Sequence, residues 1–136
     1  MKNKIVIIAG TMLGIAAIGF GIFYFTYLAP LNETYKEIRT MAIEEVSMDN
    51  SKDGVYQGEY SYSSTTCKVE VVVRDHKIAD IKVLSSGKSE YAKKAEAVLD
   101  KVIEKQTLQV DVVAGATTTS KALLKATENA LKKGIR

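Results

Sequence analysis

The sequence is poor in the side chains that most enzymes use for acid–base, nucleophilic or metal chemistry. It has one histidine, His76, and one cysteine, Cys67, among 136 residues. A single cysteine cannot form an internal disulfide, so it neither supports nor excludes an oxidising compartment. A serine or threonine nucleophile needs a general base within about 3 Å, and the histidine falls at a predicted hairpin turn. We therefore expect no hydrolase site, no catalytic acid or base and no Cys/His metal site.

Concentrated positive charge is also missing. The net charge of +3 is spread over alternating lysines and glutamates, without a basic block, so no nucleic-acid partner is expected. The small-residue run that begins at Ala114 lacks the second glycine that a P-loop places before its lysine. Nucleoside triphosphate binding is therefore a poor fit. The length leaves room for one folded domain after an N-terminal segment, and no second catalytic domain fits.

Charge is absent altogether between Ile5 and Leu28. This apolar run is long enough to cross roughly 30 Å of hydrocarbon as one transmembrane helix. Lys2 and Lys4 precede it, which favours a cytoplasmic N-terminus and an extracytoplasmic domain. A cleaved signal peptide is the alternative, but its apolar core is usually about 7 to 15 residues and ends at small residues. We therefore predict an uncleaved anchor in residues 1–30, closed by Ala29 and Pro30.

A helical spacing of apolar residues from Leu31 to Met48 predicts a stalk. The polar cluster from Asn50 to Gly54 then interrupts the periodicity. The predicted organisation is thus an anchor (1–30), a stalk or linker (31–53) and a folded domain (54–136).

Alternating polarity in residues 55–84 predicts three antiparallel strands. The first carries a tyrosine face, and the second alternates Cys67, Val69, Val71 and Val73 with polar residues. Asp75 and His76 form a tight turn into the third strand. In that strand Ile78 and Ile81 differ in parity, which indicates either two covered faces or a bulge.

The rest of the domain is predicted to be helix, strand and helix. Ser89 caps a first helix with one apolar stripe that includes Tyr91, and Thr107 to Val113 is β-branched and predicts a fourth strand. A final helix runs to Lys133, with Gly134 as its C-terminal cap. Its predicted buried stripe is Leu123, Ala126, Thr127, Ala130 and Leu131. The order β-β-β-α-β-α gives a small α+β domain with two helices packed on an antiparallel sheet.

Four hydroxyl residues, Thr117 to Ser120, follow three small residues at the predicted turn into the last helix. One interpretation is helix capping, in which a threonine accepts hydrogen bonds from unpaired N–H groups. The other is phosphate binding, because those N–H groups and the helix dipole attract an anion. The residues alone leave both open.

The stretch from Val110 to Ser120 (VDVVAGATTTS) resembles the flavinylation motif of the FMN-binding domain family. That family includes the C subunit of the sodium-pumping NADH:quinone oxidoreductase and the G subunit of the Rnf complex. The resemblance extends from Gly54 to Lys133, over the DGVYQG opening, two strands and the alanine-rich last helix. Ala114 is a departure, since many members carry serine or threonine there.

The resemblance implies FMN attached by a phosphodiester to Thr117 through a magnesium-dependent flavin transferase that uses FAD. It implies a role for Asp111 in recognition by the transferase, and it places Gly115, Ala116, Thr118, Thr119 and Ser120 around the cofactor. Stacking of the tyrosine face (Tyr56, Tyr60 and Tyr62) on the flavin is an open alternative to simple core packing.

Three hypotheses follow. The first is a membrane-anchored electron carrier, rather than an enzyme with its own substrate, between a membrane redox partner and an extracytoplasmic acceptor. The second is a non-redox interaction module in which the hydroxyl run only caps a helix. The third is a subunit of an ion-translocating redox complex.

Overall fold

The computed structural model describes residues 1–135 and has two compact units, the first ending at Lys36 and the second beginning at Glu37. The first unit is helical. Helix α1 (Lys2–Phe23) continues through a π-helical stretch (Tyr24–Leu28) into α2 (Ala29–Thr40). Its most apolar 18-residue window has a mean hydropathy of 2.4 and is not buried. This helix has the length and composition of a membrane anchor or a signal sequence.

Ala29 and Pro30, predicted to close the membrane segment, lie inside a helix that continues to Thr40. Proline lacks an N–H group and crowds the carbonyl four residues earlier, which here is Thr26. The wider π-helical turn lies at this position and accommodates the proline. Pro30 is therefore tolerated within the first turn of α2.

The α+β class and the antiparallel sheet are confirmed in the second unit. Strands β1 (Gly54–Tyr62), β2 (Thr65–Arg74) and β3 (Lys77–Ser85) pair antiparallel in the order β1-β2-β3. The alternating residues of β2 predicted to face inward (Cys67, Val69, Val71 and Val73) are all buried. Asp75 and His76 both have positive φ, as the predicted two-residue hairpin requires.

The parity question in β3 is settled by a bulge. Val72 pairs with Asp80 and Val73 with Ile78, so Ala79 is the extra residue between them. The bulge returns Ile78 and Ile81 to the same buried side, at 3% and 9% exposure. Only one face of this strand therefore carries the core.

Helix α5 (Thr117–Gly134) packs across β1 and β2, and the five residues of its predicted stripe are all buried. Gly134 is the last residue of the helix rather than a cap beyond it. A Cβ on Gly58 would lie 2.0 Å from the carbonyl oxygen of Ala126, so this glycine allows the helix to approach the sheet closely.

The predicted helix after Ser89 is two helices, α3 (Glu90–Ala95) and α4 (Ala97–Lys105), and the Ser89 cap is confirmed by a bond from the Ala92 N–H. Backbone hydrogen bonds between residues three positions apart tighten the chain at Glu96. The Glu96 carboxylate also accepts a hydrogen bond from Ser86 Oγ at 2.6 Å. Tyr91, predicted in the buried stripe, is 67% exposed instead.

The predicted fourth strand, Thr107 to Val113, is wrong: among residues 1–135 the sheet has three strands. The Leu108 N–H donates to the Glu45 carboxylate at 3.2 Å, and Lys101 Nζ donates to the Asp111 carbonyl at 3.1 Å. Side chains thus provide hydrogen bonds that a neighbouring strand would otherwise provide. Leu108 is buried, so its apolar character reflects core packing.

The helical periodicity predicted to Met48 is realised only to Thr40. Residues 41–48, here called the connecting segment, have no regular structure and bury Ile43 and Val46 in the core. Gln109 Nε2 donates to the Ile43 carbonyl at 2.6 Å, and Lys121 Nζ donates to the Met41 carbonyl at 3.1 Å. The compact unit therefore begins before Gly54, at Glu37.

Candidate functional site

The first turn of α5 carries the four hydroxyl residues of the motif. Gly115 precedes it with a φ of +78°, a backbone conformation that glycine adopts without strain. Ala116 occupies the N-cap position and is buried, and it offers no side-chain cap. Within residues 1–135 the N–H groups of residues 117–119 have no hydrogen-bond partner. The helix start therefore keeps its donors available to an anion.

The four hydroxyl groups have different environments, and none caps the helix. Thr118 Oγ1 accepts from Arg39 Nε at 3.2 Å, and Thr119 Oγ1 lies 3.1 Å from the Tyr62 hydroxyl. Ser120 is fully buried, and its Oγ accepts from the Val113 N–H at 3.3 Å. In the described part of the chain the half-buried Thr117 hydroxyl has no hydrogen bond. The geometry therefore does not match the helix-capping interpretation.

An open cleft of about 370 Å³ lies over the helix start. Five consecutive residues of the motif line it, Gly115 to Thr119. Arg39 and Tyr91, which lie outside the motif in sequence, complete the lining. A Cβ on Gly115 would meet no atom within 4 Å, so the space beside this glycine is open.

Two predicted site residues do not line this cleft. Asp111 is exposed on the irregular segment, with its backbone carbonyl bound to Lys101. Ser120 faces the interior and supports the turn through Val113. The tyrosine face is half-buried in the core and is also absent from the cleft lining. The face contacts the motif through Tyr62, whose hydroxyl lies 3.1 Å from Thr119 Oγ1.

Arg39 and Tyr91 are cleft residues that sequence reasoning missed. Arg39 lies in the last turn of α2, far from the motif in sequence, and reaches it only because the chain returns. Tyr91 had a helical spacing that predicted burial, and its exposure beside the cleft is visible only in the fold. An exposed aromatic ring and a guanidinium suit a ligand that has both a planar ring and a phosphate.

The electrostatics of the cleft favour an anion. In the part of the chain that the structure describes, its lining holds one cationic side chain, Arg39, and the positive end of the 18-residue helix α5. Cys67 is fully buried, and burial raises the pKa of its thiol to about 11. A protonated, enclosed thiol is a poor nucleophile and a poor redox relay.

Comparison with known families gives one match. The family model described as the FMN-binding domain matches residues 62–132, which include strand β2, most of helix α5 and the whole hydroxyl run. A comparison with curated proteins finds no match. The matched range supports FMN as the cofactor and a flavin-binding, electron-transfer role.

Proposed function

Since the chain belongs to the FMN-binding domain family, we propose that it is a membrane-anchored, extracytoplasmic electron carrier with FMN attached covalently to Thr117. The observation that carries the choice of residue is the difference among the four hydroxyls. Three are hydrogen-bonded to protein groups, and Ser120 is also fully buried. Thr117 lines the open cleft and has no such bond within residues 1–135.

Attachment requires a flavin transferase as the maturation partner. The Thr117 Oγ forms a bond to the phosphorus of the FMN half of FAD, and the bond between that phosphorus and the AMP oxygen breaks. AMP leaves, and the hydroxyl proton passes to a base or to water. Asp111, exposed six residues before the acceptor, is available for contact with the transferase.

The residues present fit a flavin phosphate. The N–H groups of the first turn and Arg39 provide donors and positive charge, and Gly115 leaves the approach open. When bound, FMN supplies the redox chemistry, while the protein supplies position and charge. Covalent attachment prevents loss of the cofactor from a small extracytoplasmic domain, and an anchor concentrates the carrier near partners in the same membrane.

Co-expression of the full-length chain with a flavin transferase tests this proposal. We expect the intact mass to increase by one FMN less one water, and the protein to stay yellow after denaturation. Thr117→Ala abolishes the addition, while Thr117→Ser and Thr119→Ala retain it. A colourless wild-type protein, obtained while the transferase modifies a known substrate in the same cells, would overturn the proposal and favour the interaction module.

A further inference from the structure

Among residues 1–135, Arg39 is the one cationic residue that lines the cleft over Thr117. Its Nε donates to Thr118 Oγ1 at 3.2 Å. A guanidinium has five N–H donors in a planar fork, so this bond uses one donor and leaves the four on the two Nη atoms. Within residues 1–135 no carboxylate lies within ion-pair distance of Arg39. The positive charge beside the acceptor hydroxyl is therefore not neutralised by the described protein.

The position of Arg39 is fixed from both sides. Ile38, the preceding residue, is 2% exposed and belongs to the core. Two residues later, the Met41 carbonyl accepts from Lys121 Nζ at 3.1 Å. Lys121 and Thr118 both belong to α5, so the backbone at Arg39 and its side chain are held against the same helix. An otherwise exposed arginine is thereby oriented, which reduces the entropy lost when it binds a ligand.

We infer that Arg39 binds the phosphate group of the flavin linker on Thr117, with Thr118 as the residue that orients the guanidinium. This inference rests on the proposed attachment site. A phosphodiester keeps one negative charge and two unesterified oxygens, and a guanidinium recognises such oxygens through paired N–H donors. Thr118 accepts the Nε hydrogen and directs the Nη groups away from itself.

The inference gives the motif's second threonine a defined role. Replacement by valine keeps the shape of Thr118 but removes the acceptor for Arg39 Nε. Replacement by serine keeps the acceptor. Arg39→Gln removes the charge, and Arg39→Lys keeps a charge without the planar fork. Arg74 is exposed and does not line the cleft, so Arg74→Gln is the control for loss of a guanidinium.

The test uses full-length, flavinylated protein in detergent, with attachment measured first by intact mass. The ³¹P resonance of the linker and the fluorescence anisotropy of the flavin are then measured at low and high salt. In wild type we expect anisotropy to fall with salt, because the Debye length shortens from about 10 Å at 0.1 M to about 3 Å at 1 M. Arg39→Gln shifts the ³¹P resonance, lowers the anisotropy and removes its salt dependence.

The matched variants separate charge binding from a structural effect. Arg74→Gln and Thr118→Ser behave like wild type, while Thr118→Val shows a smaller change in the same direction as Arg39→Gln. Should flavinylated Arg39→Gln match wild type in both readouts, the inference fails while attachment at Thr117 stands. Absence of FMN from wild type instead overturns the proposed function.

If Arg39→Gln is not flavinylated, Arg39→Lys and Thr118→Val distinguish the two possible causes. Recovery by Arg39→Lys, with a salt-dependent anisotropy, supports phosphate binding through charge. If both variants remain unmodified while Thr118→Val is modified and indistinguishable from wild type, Arg39 acts in recognition by the transferase, and the inference is overturned.

Discussion

Thr117 and Ser120 lie three residues apart in the first turn of α5, and their hydroxyls have opposite environments. The Ser120 hydroxyl is buried and accepts the N–H of Val113, which lies in the turn before the helix. The Thr117 hydroxyl lines the cleft. Two hydroxyls of one motif therefore have different roles: that of Thr117 is available for modification, and that of Ser120 stabilises the fold.

This division predicts separable effects of two substitutions. Ser120→Ala leaves the part-buried Val113 N–H unpaired and should cost about 1–3 kcal/mol of unfolding free energy, with flavin content unchanged. Thr117→Val should remove the flavin and leave the unfolding temperature of the unmodified protein within about 2 °C of wild type. Thermal unfolding of unmodified proteins and absorbance of co-expressed ones measure both. Loss of flavin in a folded Ser120→Ala protein would show that acceptor choice differs from the one proposed.

At the scale of elements, the contact between α5 and the sheet depends on Gly58. A Cβ there would lie 2.0 Å from the Ala126 carbonyl oxygen and 2.5 Å from the Ala130 nitrogen. Both are backbone atoms of a helix, so neither can move without shifting the whole element. The close approach lets small alanines of α5 lie directly on β1.

We therefore expect Gly58→Ala to destabilise the protein by about 3 kcal/mol or more, at the upper end of overpacking substitutions. Gly115→Ala is the matched control, since its Cβ meets no atom within 4 Å. That control carries only the strain of a positive φ, roughly 1–2 kcal/mol. Thermal unfolding of the two variants in the same detergent compares them, and equal destabilisation would contradict the close helix–sheet approach.

The connecting segment is joined to α5 through Glu128, whose side chain is fully buried. Its carboxylate accepts from Lys125 at 2.8 Å, from Lys132 at 2.7 Å and from the Glu44 N–H at 3.1 Å. Burial alone would raise the pKa of Glu128, but the bonds from Lys125, Lys132 and the Glu44 N–H lower it below the ordinary value of 4.5. The charged form is therefore the one that the fold stabilises.

Because this pKa is lower in the folded chain, protonation favours the unfolded state. The stabilisation is present above the ordinary pKa of 4.5 and is lost as the pH falls through the lower, folded-state value. Glu128→Gln should cost about 1–3 kcal/mol of unfolding free energy at pH 7. The cost is limited to this range because the partly exposed lysines are hydrated by solvent in the variant. The difference from wild type should shrink as the pH falls below 4.5. Unfolding temperatures across pH 3 to 7 test this, and a constant difference would contradict the ion-pair assignment.

Elements whose partners are local were predictable from the sequence. The alternation around Val69 and Val71, the Asp75–His76 turn and the stripe on α5 each follow from a short repeat. The segment from Thr107 to Val113 was misassigned because its hydrogen-bond partner is the side chain of Glu45, distant in sequence. Arg39 and Tyr91 were missed for the same reason, since only the folded chain brings them to the helix start.

At the scale of the whole molecule, the chain combines an apolar N-terminal helix with an FMN-binding domain, the two parts that the proposed carrier requires. The charge-free run of the apolar helix stops before Glu33. The range that matches the family begins only at Tyr62. The region between contains α2 and the connecting segment, and Arg39 lies within it. The part of the chain that follows the apolar run therefore contributes a residue to the cleft rather than serving as a spacer alone.

The native chain is well suited to a direct test of the proposed orientation. Its single cysteine is fully buried with a pKa raised to about 11, so maleimides should not label the folded wild-type protein. Asn50→Cys places a thiol on an exposed turn before β1, and Asn3→Cys places one ahead of the apolar run. A membrane-impermeant maleimide should label Asn50→Cys in intact cells and Asn3→Cys only after permeabilisation. The reverse pattern would put the flavin domain in the cytoplasm. It would also show that the positive charges of Lys2 and Lys4 do not determine the orientation of this chain.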